Sequence, residues 1–161
     1  MAEIHAGRMT HSHDGPLVVF LIGMRVNKPW RPDQWLPTFA AMPAMLRELA
    51  SDPDSGMLGF RTVVGPSGPT VIQWWSSKEK LYAYASARDA EHRPAWTAFN
   101  ARARKAPGVV GIWHETYEVS RAESIYVGMP ATGLGRATSL VPVGRNADRA
   151  AARMAAGATG R

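Results

Sequence analysis

The run Pro16–Val26, PLVVFLIGMRV, constrains the chain more than any other segment. Its β-branched and apolar density reads as a buried strand. Alternation puts Val18, Phe20, Ile22 and Met24 on one face, and Leu17, Val19 and Leu21 on the other. A strand with one wet face would alternate apolar with polar residues, so this one needs cover on both sides. It is also too short to cross a membrane as a helix. The longest apolar run, Pro16–Met24, falls well below the roughly 20 residues that such a span requires.

The elements that follow show how the first face is covered. Trp35, Phe39, Met42, Leu46 and Leu49 recur at steps of four, three, four and three, which predicts a helix from Asp33. Pro43 inside it predicts a kink, and Asp52–Gly56 ends it with turn residues. Strands over Leu58–Val64 and Thr70–Trp75 flank a five-residue loop, Gly65–Pro69. Ser76 and Glu79 form a capping box for a helix from Lys78 to about Ala87. A further helix begins near Glu91, carries His92, Trp96, Phe99 and Ala103 on one stripe, and stops at Pro107-Gly108. Val109–Val119 and Ser124–Met129 are two more strands.

The order is β-α-β-β-α-β plus a final strand, an α+β chain of the ferredoxin-like, split βαβ kind. Both helices fall on one face of the sheet. The other face has no helix to cover it, and the cheapest cover is a second copy of the chain. The sequence thus predicts a homodimer, two sheets pairing into an α/β barrel.

Composition sets the outer limits. The chain has 161 residues, 45% of them hydrophobic, enough for one domain with a core. There is no cysteine, which removes disulfides and thiolate chemistry and fits a reducing, cytoplasmic location. Of the net +6, +4 lies in residues 130–161, where five arginines face Asp148 alone. The body is close to neutral, without a basic stripe interleaved with aromatics, so the charge makes no case for nucleic acid. Residues 1–15 read as a flexible segment too polar for a signal peptide, 16–130 as the domain, and 131–161 as a basic Ala/Gly-rich arm, disordered towards its end.

Several motifs are absent: a GxGxxG after the first strand, a Walker loop, a GxSxG elbow and an HExxH helix. Gly133-Leu134-Gly135 lacks a third glycine and a following helix. No carboxylate pair has the spacing that glycoside chemistry would need.

The segments GMRVNKPWRPDQW, WWSSKEKLYAYA, EHRPAWTAFN, VGIWHETYEV and ESIYVGMPATGLGRAT resemble a monooxygenase-like family named after a fungal fumagillin-pathway member. The resemblance spans roughly residues 16–140. That family is similar to the wider dimeric α/β-barrel group of antibiotic-biosynthesis monooxygenases, haem-degrading monooxygenases, chlorite dismutases and aldoxime dehydratases. It implies the fold and the dimer, and implies the chemistry only loosely.

Candidate residues follow from both sources. The resemblance implies His92 as an axial haem ligand; on the residues alone it is equally a helix-start His satisfied by Glu91 or a loop carbonyl. His114 shares a strand face with Thr116 and Glu118, opposite Trp113, Glu115 and Tyr117, and is a candidate general base or an inter-strand hydrogen-bond partner. Arg25 is placed to hold an anion if its face lines the barrel, or to make a strand-end salt bridge. Asn27 orients a ligand or shapes its turn. Gln73 and Trp75 share one face and suit a flat ligand or plain packing, as do Trp96 and Tyr117. His5, His11 and His13 read as linker. Six tryptophans and eight methionines favour a large, adaptable apolar cavity between the sheet and the His92–Ala103 helix.

The resulting expectation is a monooxygenase-like oxidoreductase acting on an aromatic or polyketide-like molecule, with no cofactor or with haem. The alternatives are haem-dependent oxygenation or aldoxime-type dehydration, and a non-catalytic binder of hydrophobic ligands.

Overall fold

The doubly apolar strand is an inner strand of its sheet. The computed structural model of the chain describes residues 2–87 and 92–157, and of His92 the backbone alone. Its main body runs β2 (Leu17–Val26), α1 (Pro32–Ser51), β3 (Met57–Gly65), β4 (Gly68–Trp75), α2 (Lys78–Ser86), α3 (His92–Lys105) and β5 (Val110–Val119). Before it stands β1 (His5–Ser12); after it come β6 (Tyr126–Met129), α4 (Gly133–Ala137), β7 (Ser139–Pro142) and α5 (Ala150–Ala156).

The main sheet has the order β3-β4-β2-β5, every pair antiparallel. This is the ferredoxin-like arrangement, an α+β fold, with the second helical connection split into α2 and α3. Register keeps the faces apart: Phe20 lies opposite Gln73 on β4 and Thr116 on β5, and Ile22 opposite Val71 and His114. The face of Val18 and Phe20 packs on the helices, where Val18, Leu49, Trp75 and Leu81 form the core beside Met57 and Tyr84.

Local chemistry accounts for the boundaries. Pro32 opens α1 at a position where its missing N–H costs nothing. The Arg31 guanidinium bonds both oxygens of Asp33 at 2.9 and 2.8 Å, and with Gln34 it holds that carboxyl well below the usual carboxylate range. The helix then runs through Pro37 and Pro43 to Ser51. For α2 the cap is Ser77, whose hydroxyl accepts from Lys80 N at 3.2 Å, and not Ser76, whose N–H donates to Gly56 O. The β3–β4 loop is a two-residue turn, Pro66-Ser67, because Gly65 and Gly68 still pair. Gly68 has φ +127°, and a Cβ there would meet Met24 O at 2.0 Å.

Further expectations differ from the structure. The segment expected to be flexible, 1–15, contains β1, which pairs with β6 and β7 in a second, three-stranded sheet of order β6-β1-β7. Its sequence, HAGRMTHS, has no apolar alternation to reveal it; its partners lie far along the chain. The final strand β6 therefore leaves the main sheet. The C-terminal arm is ordered through α5, and α4 begins at Gly133 itself, supplying a short helix after β6. Arg153 on α5 pairs with Glu123 and donates to Ala147 O and Asp148 O at 3.0 and 2.8 Å, which holds the arm down.

That arm also changes the cover of the second sheet face. Ala137 of α4 lies against Gly59, and Gly133 against Trp74. The β2–β5 half stays open, with Trp113 at 38% and Tyr117 at 52% exposure. Within one chain the two sheets do not close into a barrel.

Candidate functional site

A cavity of about 500 Å³ lies between the helices and the inner sheet face, within the usual range for ligand sites. Phe20, Ile22 and Met24 of β2 form its floor, with Val71 of β4 and Ile112, His114 and Thr116 of β5. Its walls are Phe39, Met42, Met45 and Leu46 of α1, Leu81 and Tyr82 of α2, and Trp96 and Phe99 of α3. The same periodicities that make these helices amphipathic aim their apolar stripes at it. Trp96 stacks on Phe99 with centroids 5.6 Å apart at 25°, making a flat aromatic wall.

Its polar groups are few. His114 stands on β5, the edge strand, with its ring tilted against Phe20 at 5.7 Å. Thr116 follows two residues along the same face. Thr38 accepts a hydrogen bond from Arg102 Nη2 at 3.2 Å. Arg93 lines the cavity from the first turn of α3. Among the described residues no Asp or Glu lines it.

The candidate residues divide accordingly. His114 and Trp96 reach the cavity, as alternation and the helical stripe imply. Gln73 and Trp75 share the inner face but lie beneath the cavity in packed core: Trp75 is 0% and Gln73 5% exposed, and the indole N–H donates to Gln73 Oε1 at 2.9 Å. Arg25 stands on the opposite face, its guanidinium donating to Ser67 Oγ at 2.9 Å. Tyr117 is on that opposite face too. Its phenol donates to Glu115 Oε2 at 2.7 Å, which raises its pKa above the ordinary value. The His92 side chain lies outside the described residues. Arg93 was not among the sequence candidates, although its spacing of three from Trp96 puts the two on one helix face.

The first-segment histidines are placed as well. His11 Nδ1 lies 2.8 Å from Ser124 Oγ, and burial followed by the nearby His13 lowers its pKa, against an opposing pull from Glu123. Among the described residues no three His, Asp or Glu side chains converge as a metal site would require. Nor is any described helix long and apolar enough to cross a membrane.

Comparison with solved structures gives the same fold. An aldoxime dehydratase in complex with butyraldoxime is 16% identical with a TM-score of 0.54, over 73% of this chain and 37% of that one. A cofactor-independent oxygenase from Streptomyces nogalater is 15% identical over 67% of this chain and 97% of its own, with a TM-score of 0.45. A conserved protein from Bacteroides thetaiotaomicron, described as a possible oxidoreductase, is 12% identical over 65% and 99%, with a TM-score of 0.47. At 16% identity the likeness to the dehydratase is one of fold alone. No curated protein matches the chain. Residues 17–134 match the monooxygenase af470-like family from the first strand of the main sheet to the start of α4, and the chain belongs to that family.

Proposed function

We propose that the chain is a monooxygenase-like oxidoreductase that binds a flat aromatic or polyketide-like molecule in the cavity under α1 and α3. One observation carries this reading: a 500 Å³ apolar cavity has an imidazole, His114, on its wall. The family supplies the reaction class. Imidazole is the side chain suited to proton transfer near neutral pH.

In the cofactor-free form His114 takes a proton from an activated CH₂ of the substrate. The resulting carbanion gives one electron to O₂, and the radical pair joins as a hydroperoxide. Loss of water then leaves a carbonyl, so CH₂ and O₂ become C=O and H₂O. The apolar lining holds the ring body of the substrate beside that imidazole. An anthrone, a flat ketone with such a CH₂, is a suitable probe. The expected result is oxygen uptake that the protein accelerates and His114→Ala abolishes; uptake unchanged by that substitution would overturn the reading.

In the haem alternative His92, whose side chain lies outside the described residues, would be the axial ligand, and His114 is a described cavity imidazole that could take that place; haem would supply oxygen activation or dehydration chemistry of its own. A Soret band on haem addition that His92→Ala or His114→Ala removes would select it over the cofactor-free form.

We also infer a homodimer. The open β2–β5 face, with Trp113 and Tyr117 beside Val19 and Leu21, is a self-complementary kind of apolar patch. Light scattering should return twice the chain mass at micromolar concentration, and a monomer mass would contradict the inference.

A further inference from the structure

We propose that the cavity selects an organic anion, an aromatic or aliphatic body carrying a carboxylate or similar acid, and that Arg93 is the residue that reads the charge. The inference rests on the cavity being a ligand site and goes beyond it by naming the ligand's charge.

The electrostatics of the lining are one-sided. Among the described lining residues Arg93 is the one fixed charge, and none is acidic. Its guanidinium makes no hydrogen bond or ion pair with any described residue, unlike Arg8, Arg25, Arg31 and Arg153, which all have partners. A second guanidinium reinforces the sign. Arg102, two and a half turns further along α3, donates to the cavity residue Thr38, while its Nε is buried with no partner among the described residues. The helix itself, HRPAWTAFNARARK, holds four Arg or Lys and no acid.

Arg93 is exposed, so it stands at the open side of the cavity, where an acid group can reach it while the body of the ligand lies on the apolar lining. A guanidinium is also the group that meets a carboxylate with two parallel hydrogen bonds. Trp96, one turn from Arg93, lies alongside to take a flat ring. An apolar body against Trp96 and Phe99 with its acid on Arg93 satisfies both at once, whereas a neutral ligand leaves the guanidinium to water alone.

Two fluorescent probes separate charge from shape: 8-anilinonaphthalene-1-sulfonate, and N-phenyl-1-naphthylamine, which has the same rings without the sulfonate. Arg93→Gln should weaken the anionic probe about tenfold and leave the neutral probe within a factor of about two. Arg93→Lys should recover part of the loss, since the charge returns without the fork. Arg104→Gln removes the same charge from an exposed position of the same helix and should change neither. Equal loss of both probes in Arg93→Gln, no loss of either, or an equal loss of the anion in Arg104→Gln would overturn the proposal while leaving the cavity as a binding site. If the neutral probe shows no saturable binding to the unaltered protein, the cavity reading falls and this inference with it.

Discussion

The His114 imidazole packs against the Phe20 ring across the β2–β5 pair, at the edge of the sheet where the cavity opens. Phe20 thereby limits the positions the imidazole can take. Because His114 is exposed, His114→Ala should shift unfolding stability by no more than about 0.5 kcal/mol. Oxygen uptake with an anthrone should fall roughly 100-fold or more. Denaturant titration and an oxygen electrode on the same preparation test both halves. Phe20→Leu should keep part of the activity, since it loosens the base without removing it.

Gly23 is required by a neighbour. A Cβ on it would come within 2.4 Å of the Trp113 indole, which lies over the strand on the face away from the cavity. Gly23→Ala should therefore cost about 1–3 kcal/mol, the usual penalty of overpacking, or displace the indole into solvent. Urea unfolding reads the first outcome, and a shifted tryptophan emission reads the second.

Two ion pairs tie down the C-terminal arm, Arg8–Asp148 and Arg153–Glu123, and the second is the more buried. The Arg153 side chain is 7% and that of Glu123 21% exposed, and removing the cation strands a carboxylate that is mostly out of water. Arg153→Met should cost about 3 kcal/mol and open the segment after β7 to proteolysis well before the main sheet unfolds. Limited digestion followed by mass spectrometry locates the first cut.

His11 makes the small sheet sensitive to acid. Its pKa is lowered in the folded chain, first by burial, so below about 6.5 the unfolded chain takes up a proton that the folded one resists. Stability is complete above that value and is lost as pH falls through the folded pKa. Melting temperature should accordingly fall between pH 7 and 5, and His11→Asn should flatten that part of the profile.

Periodicity reached some of this and not the rest. The two-sided pattern of β2 reveals an inner strand because burial on both faces leaves no room for polar alternation. Parity likewise separates His114 from Trp113 and Tyr117, and groups Gln73 with Trp75. Parity cannot say which face carries the cavity, which is why Arg25 and Tyr117 stand on the wrong side of the sheet from it. Nor can it give depth along a strand: Trp75 lies where α2 and the end of α1 close on the sheet, two register steps from the cavity floor. β1 and the arm are invisible locally because β1–β6 pairing and the Arg153–Glu123 pair join residues far apart in sequence. Arg93 was within reach, since its spacing from Trp96 was there to be seen.

The proposed function requires the space under α1 and α3 to hold an apolar molecule. Titration of N-phenyl-1-naphthylamine into the unaltered protein and into Ala95→Trp, whose added indole fills the cavity from α3, tests it most directly. Saturable binding at one site per chain is expected in the first and none in the second, with both proteins folded by circular dichroism. Binding of equal strength in the two proteins would place the ligand elsewhere and contradict it.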